Sequence, residues 1–150
     1  MSRRLPEAAA RRGPQNLAVL LREPFLAMTG HLHRRLAEAG HTEVRPAHGA
    51  VFQVLDDEGT RVSVLAERAQ MTKQSMAELV SHLEARGYVE RIPDPTDRRA
   101  RLVRATALGR ELFPIALGAI AETEARWADL LGKGGMAQLR RLLEELNADL

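Results

Sequence analysis

The sequence predicts a mainly α-helical fold with one small β-hairpin. Apolar residues recur at helical spacing through most of the 150 residues. Two short stretches, 88–92 and 100–105, are instead rich in Val, Ile and Leu and lack that spacing. A Pro-Asp-Pro sequence, Pro93 to Pro95, separates them. Proline fits a loop or an edge strand, so the two stretches are predicted to pair as a hairpin.

The composition indicates one globular domain and excludes several functional classes. Hydrophobic residues make up 45% of the chain and charged residues 28%. The absence of cysteine excludes disulfides, thiolate metal ligands and cysteine redox chemistry. The sequence shows no signal-peptide pattern and no apolar run long enough to span a membrane. We therefore expect a cytoplasmic protein that does not interact with a membrane.

The first half of the chain is predicted to contain two helices. The first runs over 15–39 and is closed by Gly40, and Pro24 inside it predicts a kink or a break near Glu23. The second runs over 45–58, with Pro46 in its first turn and Gly59 after its end.

The next two helices are predicted to lie close together. A short helix over 63–69 has Ser63 as a candidate N-cap. A longer helix follows Thr72, which can cap it, and ends before Gly87. Its apolar stripe, assigned to the core, consists of Met76, Leu79, Val80 and Leu83. Its opposite, exposed face carries Lys73, Gln74, Ala77, Glu78 and Ser81.

The C-terminal part is predicted to form two more helices. Thr106 can cap a long helix that extends to about Leu131, in which Gly109 and Pro114 predict a bend. The sequence "GKGG" at 132–135 predicts a turn, and a last apolar-striped helix covers 136–150.

The order of these elements predicts a winged helix-turn-helix. Only "QM" separates the two helices at 63–69 and 72–86, which is helix-turn-helix spacing. The hairpin that follows is basic and would form the wing. Arginines cluster there and near the N-terminus, and on charge alone this is equally compatible with contact with a polyanion and with a solvated charged surface. These arginines are Arg3, Arg4, Arg11, Arg12, Arg91, Arg98, Arg99, Arg101 and Arg104.

Three motifs within 63–112 give the sequence a family resemblance. They are "LEARGYVER", "DPTDRRA" and "TALG". Their matching residues are Leu83, Glu84, Arg86, Gly87, Val89, Asp94, Asp97, Arg98, Arg99, Thr106 and Gly109. This stretch, about a third of the chain, resembles the winged helix-turn-helix core of the MarR family of transcriptional regulators. The flanking helices match that family in number and order only.

The resemblance implies a homodimer that binds double-stranded DNA. Residues 15–44 and 107–150 would supply dimerisation helices, and 45–106 would form the DNA-binding lobe. The implied function is a sequence-specific regulator, in most cases a ligand-responsive repressor on a pseudo-palindromic operator. The alternative from the residues is a winged-helix protein-interaction module or a nonspecific, chromatin-type DNA-binding protein.

The second helix of the helix-turn-helix supplies candidate DNA contacts. Lys73 can contact a phosphate or a guanine, and Gln74 can bond to adenine in two places. Glu78 departs from the basic residue that many relatives carry there, and it could accept a hydrogen bond from cytosine or pair with an arginine. The candidate contacts in this helix are Thr72, Lys73, Gln74, Ser75, Ala77 and Glu78.

The wing supplies the remaining candidate DNA contacts. The resemblance places Arg99 in a minor groove, where a narrow A·T-rich sequence concentrates negative potential. Asp97 would brace the Arg99 guanidinium through a charge-assisted bond. Arg98 and Arg101 are predicted to contact phosphates.

The sequence offers little support for metal binding or catalysis. His31 and His33 lie two residues apart on a helix and therefore point in different directions. His48 and Phe52, one helical turn apart, are candidate contacts for a small aromatic or anionic effector. Asp56, Asp57 and Glu58 are consecutive and do not form a working carboxylate pair. No catalytic motif is present, so neither an enzyme nor a cofactor is expected.

Overall fold

A computed structural model describes residues 16–150 of the chain. The N-terminal arginines and the predicted helix start at Gln15 lie outside these residues. The helices are α1 (Leu17–Glu38), a 3-10 helix (Pro46–His48), α2 (Gly49–Phe52), α3 (Val62–Arg68), α4 (Lys73–Ala85) and α5 (Ala107–Asn147). The strands β1 (Val89–Asp94) and β2 (Asp97–Ala105) pair antiparallel between α4 and α5. The predicted class, mainly α with one hairpin in a winged helix-turn-helix, is confirmed.

Helix ends follow the sequence signals at both termini of α4. The Thr72 side chain accepts a hydrogen bond from the Ser75 N–H at 3.1 Å, as an N-cap should. After the C-cap, Gly87 has φ +77°. The Tyr88 N–H then reaches the Leu83 carbonyl at 2.9 Å, which closes a Schellman motif and leads the chain directly into β1.

The predicted second helix is too long. Helical structure begins at Pro46, as expected, but α2 ends at Phe52. A polar network stabilises the following turn, because the Thr60 hydroxyl bonds to both the backbone N–H and the carboxylate of Asp56. Arg68 donates to the same carboxylate and to the Val54 carbonyl. The carboxylates that sequence placed at a helix end therefore lie in a turn.

The expected N-cap of α3 is wrong, and the structure shows no break at Pro24. The N-cap of α3 is Arg61, with no side-chain capping bond, so Ser63 lies inside the helix. Helix α1 continues through Pro24 without a break, and its side-chain N-cap is Asn16.

The hairpin has the predicted pairing and an additional neighbour. Val89 pairs with Ala105 and Ile92 with Leu102, and the register shifts after Pro93. Pro93 lies on the edge strand β1, as its missing N–H requires. On the other side of β2, Thr60 forms an isolated bridge to Val103, with N···O distances of 2.8 and 2.9 Å. This bridge connects the wing to the segment that precedes α3.

Helices α1 and α5 pack along each other outside the lobe. Helix α5 begins at the predicted cap, since Thr106 accepts from the Gly109 N–H at 3.1 Å. It is kinked at Gly132, where φ is +73° and ψ is 161°. The predicted turn at 132–135 is thus a kink at one residue, with helix on both sides. Within 16–150 we find no helix with the length and apolar character needed to span a membrane.

The core lies mainly inside the lobe and fixes the orientation of α4. Met76, Val80 and Leu83 are fully buried, and Leu79 packs against them. Other helices and the hairpin contribute Leu36, Val51, Leu65, Tyr88, Val89, Val103 and Leu112 to this cluster. Burying the predicted stripe of α4 presents the opposite face of that helix to solvent.

Candidate nucleic-acid interface

Helices α3 and α4 form the predicted helix-turn-helix. Gln70, in the turn, adopts φ +52°, and the Met71 N–H donates to the Ala66 carbonyl at 2.8 Å. These two features end α3 in a Schellman motif even without glycine. The chain then reverses within two residues, and Thr72 caps α4. The start of α4 is therefore held by backbone geometry and a side-chain cap.

The predicted contact residues of α4 share one accessible side. Thr72, Lys73, Gln74 and Glu78 are exposed, and Ser75 and Ala77 are half-buried. The Gln74 amide lies 3.5 Å from the Glu78 carboxylate, one turn along the helix. Such a row of polar side chains beside the N-terminus of a helix is suited to hydrogen bonding with base edges and phosphates.

The wing presents a group of arginines that form no ion pair within the described part of the chain. Arg98, Arg99 and Arg101 are exposed on β2, and no carboxylate there lies within 4.0 Å of their guanidinium groups. In contrast, Arg91 pairs with Glu84 at 3.0 Å and Arg104 pairs with Glu90 at 2.6 Å. Positive charge is thus compensated at the base of the wing and free near its tip.

Asp97 supports Arg99 in a different way from the one predicted. Its carboxylate accepts a hydrogen bond from the backbone N–H of Arg99 at 3.0 Å, not from the guanidinium. Its other oxygen lies 3.8 Å from Arg61. Asp97 therefore shapes the backbone at the start of β2 and leaves the Arg99 side chain free.

Asp94 connects the wing to the helix-turn-helix, a role that the sequence did not reveal. Its buried carboxylate accepts from Arg61 Nε at 2.6 Å, and from the Thr96 N–H and hydroxyl at 2.8 and 2.7 Å. The two bonds from Thr96, followed by the ion pair with Arg61, lower the pKa of Asp94 to about 2. The 33-residue separation between Arg61 and Asp94 hides this pair from local sequence patterns.

His48 and Phe52 contact different neighbours. His48 is fully buried and stacks on His82 of α4, with ring centroids 4.6 Å apart. Burial, and then the positive charge of His82, lowers the pKa of His48 to about 4, so the ring is neutral at pH 7. Phe52 instead packs edge-on against Phe113 of α5 at 5.9 Å.

Two of the other histidines have structural contacts. His31 lies 2.6 Å from Glu122, which connects α1 to α5. His41 is buried and lies 3.0 Å from the Tyr88 hydroxyl. Among residues 16–150, no three His, Asp or Glu side chains are arranged to hold a metal ion.

Comparison with known proteins identifies the family. A family model described as MarR family matches residues 44–100. The transcriptional regulator HosA of Escherichia coli O111:H- is 31% identical over 97 residues, which are 65% of this chain and 69% of HosA.

Solved structures agree with the fold. A crystal structure of MarR superimposes with a TM-score of 0.74 at 22% identity, covering 90% of this chain and 97% of that one. CouR from Rhodococcus jostii RHA1, bound to p-coumaroyl-CoA, gives a TM-score of 0.66 at 25% identity, covering 88% and 92%. The chain belongs to the MarR family, whose members are DNA-binding transcriptional regulators and not enzymes.

Proposed function

We propose that this chain represses transcription as a homodimer bound to a pseudo-palindromic operator and that a small effector weakens this binding. One observation carries the proposal: the accessible face of α4 is followed directly by a wing whose Arg98, Arg99 and Arg101 have no ion-pair partner among residues 16–150. A helix of this kind fits a major groove, and a basic hairpin beside it fits the adjacent minor groove.

Within that proposal the interface residues have separate roles. Gln74 and Glu78 read base edges in the major groove, and Lys73 contacts a phosphate or a guanine. Thr72, Ser75 and Ala77 bring the start of α4 close to the DNA.

In the wing, the Arg99 guanidinium has no carboxylate partner among residues 16–150 and is therefore available to enter the minor groove. The negative potential of a narrow groove attracts it there. Arg98 and Arg101 bind the flanking phosphates, and Asp97 holds the backbone that carries Arg99.

Dimerisation through 15–44 and 107–150 is supported by exposed apolar side chains on the described parts of both segments. On α1 these are Leu17, Leu20, Leu21, Phe25 and Leu26, and on α5 they include Leu117, Leu130, Leu131, Leu142, Leu143 and Leu146. Apolar exposure on this scale is typical of a surface that another chain covers.

An effector is supported by the relative CouR, whose structure contains p-coumaroyl-CoA. By analogy, this chain would bind a small aromatic or anionic molecule that shifts the population away from the DNA-binding state.

The experiment compares Arg99→Ala with wild type on a duplex from the chain's own upstream region. We expect the substitution to weaken binding by about 1–3 kcal/mol and to leave the unfolding curve unchanged. Arg86→Ala is the matched control, because this arginine at the C-cap of α4 pairs with Glu43 and lies outside both the wing and the proposed dimerisation segments. Fluorescence anisotropy at one stated salt concentration gives the affinities.

Competition with a scrambled duplex tests the alternative functions. Equal competition by both duplexes would identify a nonspecific DNA-binding protein, and no binding to either would favour a protein-interaction module. Either result, or unchanged affinity of Arg99→Ala, contradicts the proposal. A reporter under the same upstream region distinguishes repression from activation.

A further inference from the structure

Two consecutive residues anchor the wing to the helical part of the lobe at separate levels. Near the base of the wing, Thr60 forms its backbone bridge to Val103 on β2. Near the tip, Arg61, the N-cap residue of α3, donates to Asp94 at the end of β1. An isolated two-stranded hairpin is marginally stable in water, so the orientation of the wing depends on such anchors.

The part of β2 that carries the free arginines lies between the two anchors. In the hairpin register, Asp94 is opposite Asp97. Residues 98–101 follow Asp97 and precede the bridge at Val103. Among residues 16–150, the hydrogen bonds and ion pairs that connect this end of the hairpin to the helices all involve Arg61. The position of the wing arginines relative to the helices therefore depends on this one side chain.

The buried carboxylate of Asp94 divides its two oxygens between the wing turn and α3. Oδ1 accepts from the N–H and the hydroxyl of Thr96, at 2.8 and 2.7 Å. Oδ2 accepts from Nε of Arg61 at 2.6 Å and is also paired with a terminal nitrogen of the same guanidinium. Separating Arg61 from Asp94 would leave a buried, unpaired charge, so the tip cannot move away from α3 at low cost.

A second series of contacts runs from Arg61 to the backbone of Arg99. One carboxylate oxygen of Asp97 lies 3.8 Å from Arg61, and the other accepts from the Arg99 backbone N–H at 3.0 Å. The Arg61 guanidinium is thus occupied by carboxylates of the wing, whereas the Arg99 guanidinium is free. These contacts suit Arg61 to support and Arg99 to bind.

We propose that Arg61 is a positioning residue for minor-groove recognition, a role that rests on the proposed function. It holds the wing at a fixed angle to α4, so that Arg99 and the exposed face of α4 meet adjacent grooves together. Without Arg61 the wing stays attached at its base and its arginines stay exposed, but their position relative to α4 is no longer fixed. Binding must then supply the cost of ordering the wing.

A double-mutant cycle between Arg61 and Arg99 tests this role by fluorescence anisotropy on the upstream duplex. In the wild-type background, Arg99→Ala should weaken binding about ten-fold. In the Arg61→Gln background, the same substitution should weaken it only about two-fold, because the side chain is no longer held at the groove. Arg61→Lys keeps the charge and one bond to Asp94, and it should restore most of the effect of Arg99→Ala.

Arg68→Gln is the matched control for the loss of Arg61. Arg68, the last residue of α3, is 43% exposed against 39% for Arg61, and it pairs with Asp56 at 2.8 Å instead of with the wing. In this background, Arg99→Ala should keep its effect of about ten-fold. If Arg61→Gln does not fold, as judged by urea unfolding, the cycle is measured with Asp94→Asn added, which removes the unpaired charge.

Asp94→Asn alone gives a test in which two explanations predict opposite signs. If net charge alone mattered, removing a carboxylate from the wing would strengthen binding to DNA. If Arg61 acts through Asp94, binding should instead weaken, by about five-fold at constant salt.

Residual dipolar couplings of the free chain test the anchor without DNA. The backbone amides of β2 and α4 should fit one alignment tensor in wild type and in Arg68→Gln. In Arg61→Gln the amides of residues 97–101 should no longer fit the tensor of α4.

Three results would overturn the proposal. They are an undiminished effect of Arg99→Ala in Arg61→Gln, which would make Arg61 an independent DNA contact, tighter binding by Asp94→Asn, and a single alignment tensor in Arg61→Gln. If no duplex binds specifically, the proposed function fails, whereas the dipolar couplings still decide whether Arg61 fixes the wing.

Discussion

Gly109 shows how a single residue fixes the position of α5 against the lobe. The Thr106 hydroxyl donates to the Gly87 carbonyl at 2.5 Å and accepts from the Gly109 N–H at 3.1 Å. The backbone of Tyr88 comes so close to Gly109 that a Cβ there would overlap the Tyr88 carbonyl. A glycine is therefore required at the point where the end of α4 meets the start of α5.

We predict that Gly109→Ala destabilises the protein by about 1–3 kcal/mol, because backbone atoms must move to admit the methyl group. Gly118→Ala, in the same helix, meets nothing within 4 Å and should stabilise by about 0.5–1 kcal/mol. Urea unfolding of both variants measures the difference. Equal stability of the two variants would show that the contact at Gly109 is not tight.

Asp94 should make the stability of the lobe depend on acidic pH. The pKa of Asp94 is about 2 in the folded chain and 3.8 for an unperturbed aspartate, which represents the unfolded chain. As pH falls, the unfolded chain therefore binds the proton first. Its contribution is therefore complete above pH 3.8 and is lost as pH falls to about 2. Asp94→Asn should flatten this part of the profile, as measured by urea unfolding between these pH values. A variant whose profile matches that of wild type would refute the assignment.

At the scale of elements, the cap of α4 sets the geometry of the interface. Among residues 16–150, Thr72 is the only side chain that bonds to a backbone N–H in the first turn of α4. We predict that Thr72→Ala costs about 1 kcal/mol in urea unfolding. Ser81→Ala, at an exposed position in the same helix, is the control and should be nearly neutral. A larger effect at Ser81 would contradict the role of the cap.

Helix ends can be predicted from the sequence where residues a few positions apart determine them. Thr72, Gly87 and Thr106 mark helix ends that the structure confirms, since capping involves residues a few positions apart. The predicted second helix is longer than the observed one, because Val54 and Leu55 continue the apolar pattern beyond Phe52. The competing interaction is non-local: Thr60 pairs with Val103, and the turn before it must bend to allow that bridge.

The candidate interface was predictable to a similar extent. The exposed face of α4 and the arginines of the wing follow from periodicity and charge, which are local properties. The Arg61–Asp94 pair and the His48–His82 stack join residues more than 30 positions apart, and no pattern in the chain marks them. Asp97 does contact Arg99, but its carboxylate accepts from the backbone N–H of Arg99 and not from the guanidinium. The charges of the two side chains favour the guanidinium contact and do not indicate the backbone one.

At the scale of the whole molecule, the lobe and the α1–α5 pair differ in how they bury apolar surface. The lobe encloses Met76, Val80 and Leu83 completely, whereas Leu20 and Leu130 in the helical pair are 48% and 81% exposed. Burial of such side chains contributes about 1.5–3 kcal/mol each, so a partner that covers them stabilises the assembly considerably. The proposed partner is a second copy of this chain.

This proposal predicts that a charge in the leucine surface separates the chains. Leu20→Glu and Leu130→Glu should each shift the sedimenting mass toward 16.6 kDa, because a buried, unpaired carboxylate opposes association. Both side chains are exposed in the single chain, so its own fold should be retained. Gln53→Glu, exposed on the lobe, adds the same charge elsewhere and should leave the dimer intact.

The separated chain should also bind operator DNA more weakly and with a smaller dependence on salt, since one lobe neutralises half as many phosphates as two. Sedimentation and anisotropy measured on the same samples test the two effects together. A wild-type chain that sediments at 16.6 kDa, or a separated variant with undiminished operator affinity, would show that one lobe is sufficient and would contradict the dimer model.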